Sequence, residues 1–399
     1  MIFAWLNKRE WKHPGPIVNM AVQNAHALAS LGYETHLFLS AADADSNAEE
    51  DLRAFYGLDP VDTLHVHRFE RWKIGRSKLA AAVFLRAYRA IQELARRGEV
   101  AVVTRDATFL PLLARLRRRL SIKGFYEAHD FYAAHFWRTE RIKISYRRQS
   151  WLERKFLPKI DGLICLTRAQ QELYRKVLPR VRSCALPLGT TSFPETDPEE
   201  RRQKRTLVYT GRLTSEKGRK IVFQAVPKLA RHNIRVSFFG GWPEQIATAR
   251  ARLQKRGLEK WVSFVEFQPP AELHRTLQTT GSIGIAMLED TFYNRYLTCP
   301  VKALDYLSHG LPIIGSDLES LREVAGEAGT YLPPDDSAGL VQTAVSLLDH
   351  PENYRRATEL SRARAREFSW QNRAKHIVAF AEGPTAADPH QATSSSASP

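Results

Sequence analysis

The sequence contains little cysteine and no long apolar segment. Its three cysteines among 399 residues, Cys165, Cys184 and Cys299, are too few and too scattered for a disulfide framework or a structural zinc site. A mean hydropathy of −0.37 without a long hydrophobic run argues against a transmembrane helix. The opening "MIFAWLNKREWKHPGP" reaches charged residues after only a few apolar ones, which predicts a first strand rather than a signal peptide. We therefore expect a cytoplasmic protein.

The sequence also has fewer acidic than basic residues and lacks two kinds of motif. Lys and Arg outnumber Asp and Glu by 59 to 43, which gives a net charge of +16. Such a balance suits a nucleotide, a nucleic acid or an anionic membrane, and by itself selects none of them. No G-x-G-x-x-G follows the first predicted strand, which disfavours a dinucleotide-dependent dehydrogenase. The lack of a recognised nucleic-acid-binding motif counts against a nucleic-acid partner.

The chain is built from apolar, strand-like runs that alternate with amphipathic helices. Seven runs occupy the first half: "IFAWL", "ETHLFL", "TLHVHRF", "VAVVT", "GFYEA", "GLICLT" and "SCALPLG". After a polar, proline-bearing stretch at 186–205 come six more: "TLVYTG", "RVSFFGG", "WVSFVEF", "SIGIAML", "LPIIGSD" and "GTYLPP". Strands separated by helices predict parallel sheets covered on both faces. We expect two doubly wound, Rossmann-like α/β domains facing across a cleft, with ligands bound beyond the carboxyl ends of the strands.

The first strand of the second half runs into a loop with two cations. "TLVYT" is followed by "GRLTSEKG" at 211–218 and then by an amphipathic helix. Gly211 permits a close approach of the backbone, and Arg212 and Lys217 flank the turn into the helix. Backbone N–H groups and fixed cations together suit a phosphate, although basic residues in such loops are also common without a ligand.

The stretch "TCPVKALDYLSHGLPIIGSD" at 298–317 predicts a helix with a cation in its first turn. Cys299 is expected at the N-cap, Pro300 at the first helical position and Lys302 at the third. A lysine there opposes the helix dipole, so it either points into water or shares an anion with the helix N-terminus. Asp305 lies three residues on, and the simpler interpretation is a surface Lys–Asp pair.

Three loops of the first half carry polar side chains after predicted strands. "GFYEA" is followed by His129 in "EAHDFY", and "VVTRD" ends in Arg105 and Asp106, which we place at the cleft edge. A lone histidine is more often structural than catalytic. Gly15 lies between two prolines after the first strand, and is either a phosphate-covering loop residue or simply part of a turn.

A basic stretch at 135–159 interleaves Trp, Tyr and Phe with Lys and Arg. One interpretation is an amphipathic helix on an anionic membrane that delivers a lipid-linked acceptor. The alternative is a packed helix whose long cationic side chains reach the solvent.

These motifs together resemble retaining nucleotide-sugar glycosyltransferases of the GT-B fold, family four. The resemblance rests on "GRLTSEKG", on the helix and strand at 298–317, on "VSFFGG" and "VSFVEFQPPAELHRTL", and on "FSWQNRAKHIVAFAE" at 368–382. It implies an acceptor-side domain at 1–188 and a nucleotide-sugar-binding domain at 189–368. It further implies a helix at 369–383 that crosses back onto the first domain, followed by a disordered tail at 384–399.

The resemblance also assigns roles to individual residues. It implies that Arg212 and Lys217 hold the donor diphosphate and that Asp305 binds the ribose. Gly15 and Gly211 would approach the donor, and His129 would lie in the active site. The remaining donor-binding positions are Thr298, Cys299, Pro300, Val301 and Lys302. The family's first acidic residue would fall at Leu297, so Asn294 or backbone amides are expected to contact the sugar instead, with Arg105 and Asp106 as further sugar or acceptor contacts.

The implied reaction moves a sugar from a nucleoside diphosphate sugar to a glycan or lipid-linked acceptor with retention of anomeric configuration. No metal and no cofactor are expected, because no Asp-x-Asp motif serves the donor site; the "ADADS" run at 42–46 is interpreted as a helix cap. The expected location is the cytoplasm, with the inner membrane face as a further surface. The alternatives are a nucleotide-sugar epimerase of the same architecture and a basic nucleic-acid-binding protein.

Overall fold

The computed structural model describes residues 1–13, 15–41, 46–74, 77–79, 81–134 and 144–383. The predicted tail at 384–399, most of the "ADADS" run and the first part of the basic stretch lie outside the described residues. Within the described part, no helix has the length and apolar character needed to cross a bilayer.

The first domain is a seven-stranded parallel sheet with the order β3-β2-β1-β6-β7-β8-β9. Its strands are β1 (Ile2–Glu10), β2 (Thr35–Ser40), β3 (Leu64–Phe69), β6 (Val100–Thr104), β7 (Ile122–Ala128), β8 (Gly162–Cys165) and β9 (Ser183–Ala185), with a small antiparallel hairpin of β4 (Trp72–Ile74) and β5 (Ser77–Leu79) that the sequence did not predict. Its helices are α1 (Pro16–Ser30), α2 (Ala48–Asp51), α3 (Ala81–Arg97), α4 (Leu110–Arg119), α5 (Ile144–Phe156) and α6 (Arg168–Val177).

The second domain is a six-stranded parallel sheet with the order β12-β11-β10-β13-β14-β15. Its strands are β10 (Thr206–Thr210), β11 (Arg235–Gly241), β12 (Val262–Glu266), β13 (Ile283–Ala286), β14 (Ile313–Ser316) and β15 (Gly329–Leu332). Its helices are α7 (Pro198–Gln203), α8 (Arg219–Arg231), α9 (Pro243–Gln254), α10 (Pro270–Thr280), α11 (Val301–Ser308), α12 (Glu319–Ala325), α13 (Ser337–Asp349) and α14 (Pro351–Glu367).

The predicted fold class is therefore confirmed. All thirteen predicted apolar runs form strands of the two sheets, because each run can bury both faces between helices. The last helix, α15 (Trp370–Glu382), leaves the second domain and packs on α1 of the first, as expected. The exact domain bounds stay a prediction.

Strand order reverses at one point in each sheet and so locates the site. In the first sheet the reversal lies between β1 and β6, and in the second between β10 and β13. At such a point neighbouring loops diverge and open a crevice beyond the carboxyl ends of the strands. The loops after these four strands line one cavity between the domains.

Candidate active site

A cavity of about 550 Å³ lies between the carboxyl ends of the two sheets. Its volume falls within the range of roughly 300–1,000 Å³ that is usual for small-molecule sites. All but two of the predicted site residues line it, namely Gly15, Arg105, His129, Gly211, Arg212, Lys217, Thr298, Cys299, Pro300, Val301, Lys302 and Asp305. Residues nearly 300 positions apart in sequence therefore face one space.

The loop after β10 requires a glycine at position 218, where it turns into α8. Gly218 has φ +87°, and a Cβ built there would lie 1.4 Å from the carbonyl oxygen of Met287. Gly211 has φ +104° but open space around its Cα. The loop is further fixed by the Tyr209 hydroxyl, which donates to the Arg212 carbonyl at 2.7 Å. It thus holds Arg212 and Lys217 in the cavity wall.

Lys217 is a cation with little compensating charge. Its ammonium donates to Oδ1 of Asn294 at 3.3 Å and lies 5.4 Å from the centre of the Tyr293 ring. Burial lowers its pKa, the nearby Glu216 carboxylate raises it, and the charge of Arg212 lowers it again. A ligand that brings negative charge would relieve both the burial and the repulsion between the two cations.

The helix α11 begins one residue later than predicted, because Pro300 has ψ 91° and is itself the N-cap. Lys302 is thus the second helical residue, and it neither points into water nor pairs with Asp305. Its ammonium lies 3.7 Å from the centre of the Tyr209 ring and donates to the Lys217 carbonyl at 3.3 Å. Burial and then the charge of Lys217 lower the pKa of Lys302 well below its usual value.

The segment 298–301 offers fewer free backbone N–H groups than the sequence predicted. The Thr298 N–H already donates to the Tyr293 carbonyl at 3.0 Å, and Pro300 has no N–H. The N–H groups of Val301 and Lys302 belong to the first turn of α11, which offers them no intrahelical acceptor. These two N–H groups lie at the positive end of the α11 dipole, which faces the cavity.

Asp305 is half-buried and Cys299 is buried, and both have a raised pKa. Burial raises the pKa of Asp305 to about 7, although the Thr210 hydroxyl, 3.5 Å from Oδ2, and the charge of Lys302 oppose that rise. Burial raises the pKa of Cys299 to about 12, and its sulfur accepts a hydrogen bond from the Leu188 N–H at 3.4 Å. Cys299 is therefore an inert thiol that joins the linker to α11.

The prediction that Asn294 contacts the sugar is wrong. Asn294 is 1% exposed and does not line the cavity. Its amide nitrogen donates to the carbonyls of Glu216 and Glu289, each at 2.9 Å, and its oxygen accepts from Lys217. Asn294 therefore holds Lys217 in place and has no group free to contact a sugar.

Leu297, where the family pattern expects an acid, packs into the core of the first domain. It is fully buried in the apolar cluster that contains Phe131 and Cys165. Beside it the Thr167 hydroxyl donates to the Tyr296 carbonyl at 2.5 Å. The segment at 293–297 therefore joins the two domains, which explains an apolar residue at this position.

His129 lies at one end of a hydrogen-bonded chain of three ionisable side chains, His129, Glu127 and Arg373. Its Nε2 lies 2.5 Å from Oε1 of Glu127, and Oε2 of Glu127 accepts from the guanidinium of Arg373. Burial opposes ionisation of Glu127, but Arg373 and then His129 outweigh it and hold its pKa at about 2. Burial, then the charge of Arg105, lowers the pKa of His129 to about 4, so the ring is neutral near pH 7. An ionised Glu127 must accept the Nε2–H, which leaves the lone pair on Nδ1.

The role of Arg373 could not be predicted from the sequence. This residue lies on α15, is 4% exposed, and donates from Nε to Oδ1 of Asn24 at 2.9 Å. Its guanidinium also donates to the carbonyls of Leu186 and Pro187 in the linker between the domains. Arg373 is one of many arginines in helices, and no motif around it indicates a special role.

Arg105 and Asp106 occupy different places after β6. Arg105 lines both the main cavity and a smaller one beside it, whereas Asp106 lines only the smaller. Asp106 is 7% exposed and accepts from the backbone N–H of Lys8 at 2.9 Å and from its ammonium at 3.0 Å. Asp106 thus ties β6 to β1.

Two family models match the chain and between them cover both domains. The model of Glycosyltransferase Family 4 matches residues 17–190, and that of Glycosyl transferases group 1 matches residues 204–350. The chain belongs to the group 1 glycosyltransferases of the GT-B fold. This confirms the family that the sequence motifs resembled.

Three curated proteins match parts of this chain at about a quarter identity. The chain is 26% identical over 230 residues to the alpha-D-kanosaminyltransferase of Streptomyces kanamyceticus, which is 52% of this chain and 56% of that protein. The chain spans about half the length of the curated relatives it matches, or less.

Solved structures agree with the fold of this glycosyltransferase over nearly its whole length. Sucrose-phosphate synthase from Thermosynechococcus elongatus superimposes with a TM-score of 0.71 at 17% identity, covering 95% of this chain and 98% of that one. Anabaena HepE, solved with UDP and glucose, gives a TM-score of 0.68 at 13% identity, covering 96% and 100%. At such low identity the likeness establishes the GT-B fold alone.

Proposed function

We propose that this glycosyltransferase moves a sugar from a nucleoside diphosphate sugar to a glycan or lipid-linked acceptor, with retention of anomeric configuration. The observation that supports it most is the convergence of Arg212, Lys217 and the start of α11 on one cavity that His129 closes from the other domain. The family match favours a transferase over the epimerase and nucleic-acid-binding alternatives.

In the proposed complex the donor diphosphate lies against the second domain. Arg212 and Lys217 contact its oxygens, and the first-turn amides at Val301 and Lys302 hold the phosphate nearer the sugar. Lys302 donates to the carbonyl of Lys217 and so supports the loop behind it. Asp305 accepts hydrogen bonds from the ribose hydroxyls.

Catalysis by these groups is electrostatic. Negative charge grows on the diphosphate as the bond to the sugar breaks, and cations fixed in a partly buried site stabilise that charge more than water would. The cations are in place before reaction, because Asn294 and the glycine turn hold the loop. Neutral His129 would contact the sugar or the acceptor through its free nitrogen. We propose that no metal and no cofactor take part.

UDP is the first nucleotide to examine, because HepE was solved with UDP and glucose. The location proposed is the cytoplasm, with contact to an anionic membrane through the exposed face of α5. That face carries Arg147, Arg154 and Trp151, whose side chain is 53% exposed.

The donor site is tested by thermal unfolding with UDP, GDP and ADP. A ligand that binds only the folded state stabilises it by about 2.7 kcal/mol at a hundred times its Kd. We expect one of the three to raise the melting temperature of the wild type, and the double variant Arg212→Ala/Lys217→Ala to lose that shift. Arg252→Ala, which changes an exposed arginine on α9, is the matched control. An unchanged shift in the double variant would contradict the donor-site assignment.

The chemistry is tested with the matching nucleotide sugar. Slow donor hydrolysis needs no knowledge of the acceptor, and a chelator should leave its rate unchanged if no metal takes part. Proton NMR of the freshly formed anomeric centre reports the configuration, and an inverted product would rule out the retaining mechanism.

A further inference from the structure

A second cavity of about 280 Å³ adjoins the active site, mostly within the first domain. Arg9, Ile17, Arg105, His129 and Tyr293 line both cavities, so the two meet at His129. The cations proposed to hold the diphosphate line only the larger one. A group bound in the smaller cavity would therefore reach the sugar from the side away from the second domain.

The wall of this cavity is polar, and several of its side chains already form hydrogen bonds or ion pairs within the protein. The carboxylate of Asp106 pairs with Lys8 at 3.0 Å, and the Tyr126 hydroxyl donates to Oε1 of Glu153 at 3.3 Å. Oδ1 of Asp130 accepts from the Phe131 N–H at 2.8 Å. A polar space of this size suits a single sugar-sized group better than an acyl chain, whose transfer from water needs an apolar wall.

Two arginines that line both cavities differ from these side chains. Within the described part of the chain, neither Arg9 nor Arg105 forms a salt bridge, whereas the nearby Lys8 does. The charge of Arg105 is felt at the reaction centre, since it lowers the pKa of both His129 and Glu127. A planar guanidinium binds carboxylate and phosphate oxygens in pairs, so two of them form a selective anion site.

We propose that the acceptor carries a phosphate or carboxylate on a sugar-sized unit, and that Arg9 and Arg105 bind this anion beside His129. The proposal rests on the proposed function and names the class of acceptor for that same site. The anion would direct the acceptor hydroxyl toward the donor sugar and would discriminate against neutral acceptors. Loss of one charge-assisted contact should weaken binding roughly ten- to a hundredfold.

The test uses the full chain saturated with its nucleoside diphosphate, so that the donor phosphate site is occupied. Glucose 6-phosphate, glucuronate and glucose are each titrated while thermal unfolding is followed. We expect the two anions to raise the melting temperature further and glucose not to do so. Arg9→Gln and Arg105→Gln should each weaken that response roughly ten- to a hundredfold, whereas Arg252→Gln on the second domain should not.

A parallel arm identifies the source of the anion. Phosphatidylglycerol vesicles that compete with glucose 6-phosphate in the wild type, but not in the two variants, would indicate a lipid headgroup. Vesicles without effect would indicate a soluble acceptor, and either result supports the anion site.

Three results obtained with the nucleoside diphosphate bound would overturn the proposal. They are a response to glucose equal to that of the anions, no response to either anion, and a response that survives in both arginine variants. An anion response seen only without nucleotide would also overturn it, because the arginines would then serve the donor phosphates. If no nucleoside diphosphate stabilises the protein, the proposed function fails instead, and the anion titration can still be read on the free protein.

Discussion

Individual side chains in this protein take their chemistry from burial more than from residue type. Lys302 was predicted either to face water or to bind an anion, yet it lies over the Tyr209 ring with a strongly lowered pKa. Cys299 at the same turn is an inert buried thiol. The identity and spacing of these residues were readable from the sequence, but the side-chain directions were not, because they depend on packing against β10 and the linker.

Glu153 on α5 is a second residue whose surroundings change its behaviour. It is fully buried and its Oε2 accepts from the Tyr174 hydroxyl at 2.9 Å and from the Tyr132 N–H at 3.0 Å. Burial raises its pKa to about 8, although the Tyr174 hydrogen bond opposes that rise. The folded protein therefore keeps a proton on Glu153 that the unfolded chain releases near pH 4.5.

The change Glu153→Gln should stabilise the protein increasingly as the pH rises from about 5 to about 8. Across that window the folded wild type binds more protons than its unfolded chain, so its stability falls as pH rises, by at most about 1.4 kcal/mol per pH unit. Glutamine does not titrate, and its oxygen can accept the same two hydrogen bonds.

Urea unfolding at several pH values measures this difference. Glu172→Gln on the exposed face of α6 controls for the loss of one negative charge. A difference between the Glu153 variant and wild type that stays constant with pH would show that Glu153 is ionised in the folded state throughout.

At the scale of elements, the last helix contributes a side chain to the candidate site of a domain to which it is not adjacent in sequence. Arg373 on α15 meets Glu127 at the end of β7, two residues before His129. The sequence predicted that this helix crosses back, and the structure confirms it. What the helix contributes to the site could not be predicted, since it requires knowing which of its faces meets α1 and β7.

Arg373→Met should lower the free energy of unfolding by about 3–5 kcal/mol, because it leaves Glu127 buried without a cation. The double variant Arg373→Met/Glu127→Gln should regain part of that loss. Lys375→Met, on the exposed face of the same helix, is the matched control. Urea unfolding of the four proteins gives these values.

The same variant should also change the pH dependence of donor hydrolysis. Without Arg373 the pKa of Glu127 rises from about 2, so the acidic fall in rate should move to higher pH. A purely structural role for Arg373 would lower stability but leave the pH profile superimposable on that of the wild type.

At the scale of the whole molecule, two neighbouring helices of the first domain carry many exposed basic side chains. The helices α4 and α5 pack against each other and present the basic side chains of Arg115, Arg118, Arg119, Arg147, Arg148, Arg154 and Lys155. Trp151 is exposed among them, with the Lys155 ammonium 4.5 Å from its ring centre. An exposed tryptophan within a basic face is typical of membrane-surface contact.

The triple variant Arg147→Gln/Arg148→Gln/Arg154→Gln should bind phosphatidylglycerol vesicles more weakly than wild type. Each basic residue near an anionic surface contributes about 1 kcal/mol, so three together predict a loss of roughly a hundredfold. Trp151→Ala should weaken binding further.

Co-sedimentation with vesicles measures the binding, and Arg231→Gln/Arg252→Gln/Arg256→Gln on the second domain is the control of equal charge. Two results would contradict membrane binding by this surface. One is that the wild type binds neutral phosphatidylcholine vesicles as well as it binds phosphatidylglycerol vesicles. The other is that the two triple variants bind phosphatidylglycerol vesicles equally well.

The sequence by itself determined the two parallel sheets and the loops that form the cavity wall, whereas the return of the last helix was implied by the resemblance to a family. The sheets and loops depend on local patterns, since alternating strands and helices and the glycines and prolines at their ends act over a few residues. Only the tertiary structure decided that Leu297 packs into the first domain, that Asn294 supports Lys217 and that Arg373 reaches Glu127. Each of those contacts joins segments tens to hundreds of residues apart, so no local pattern could have predicted it.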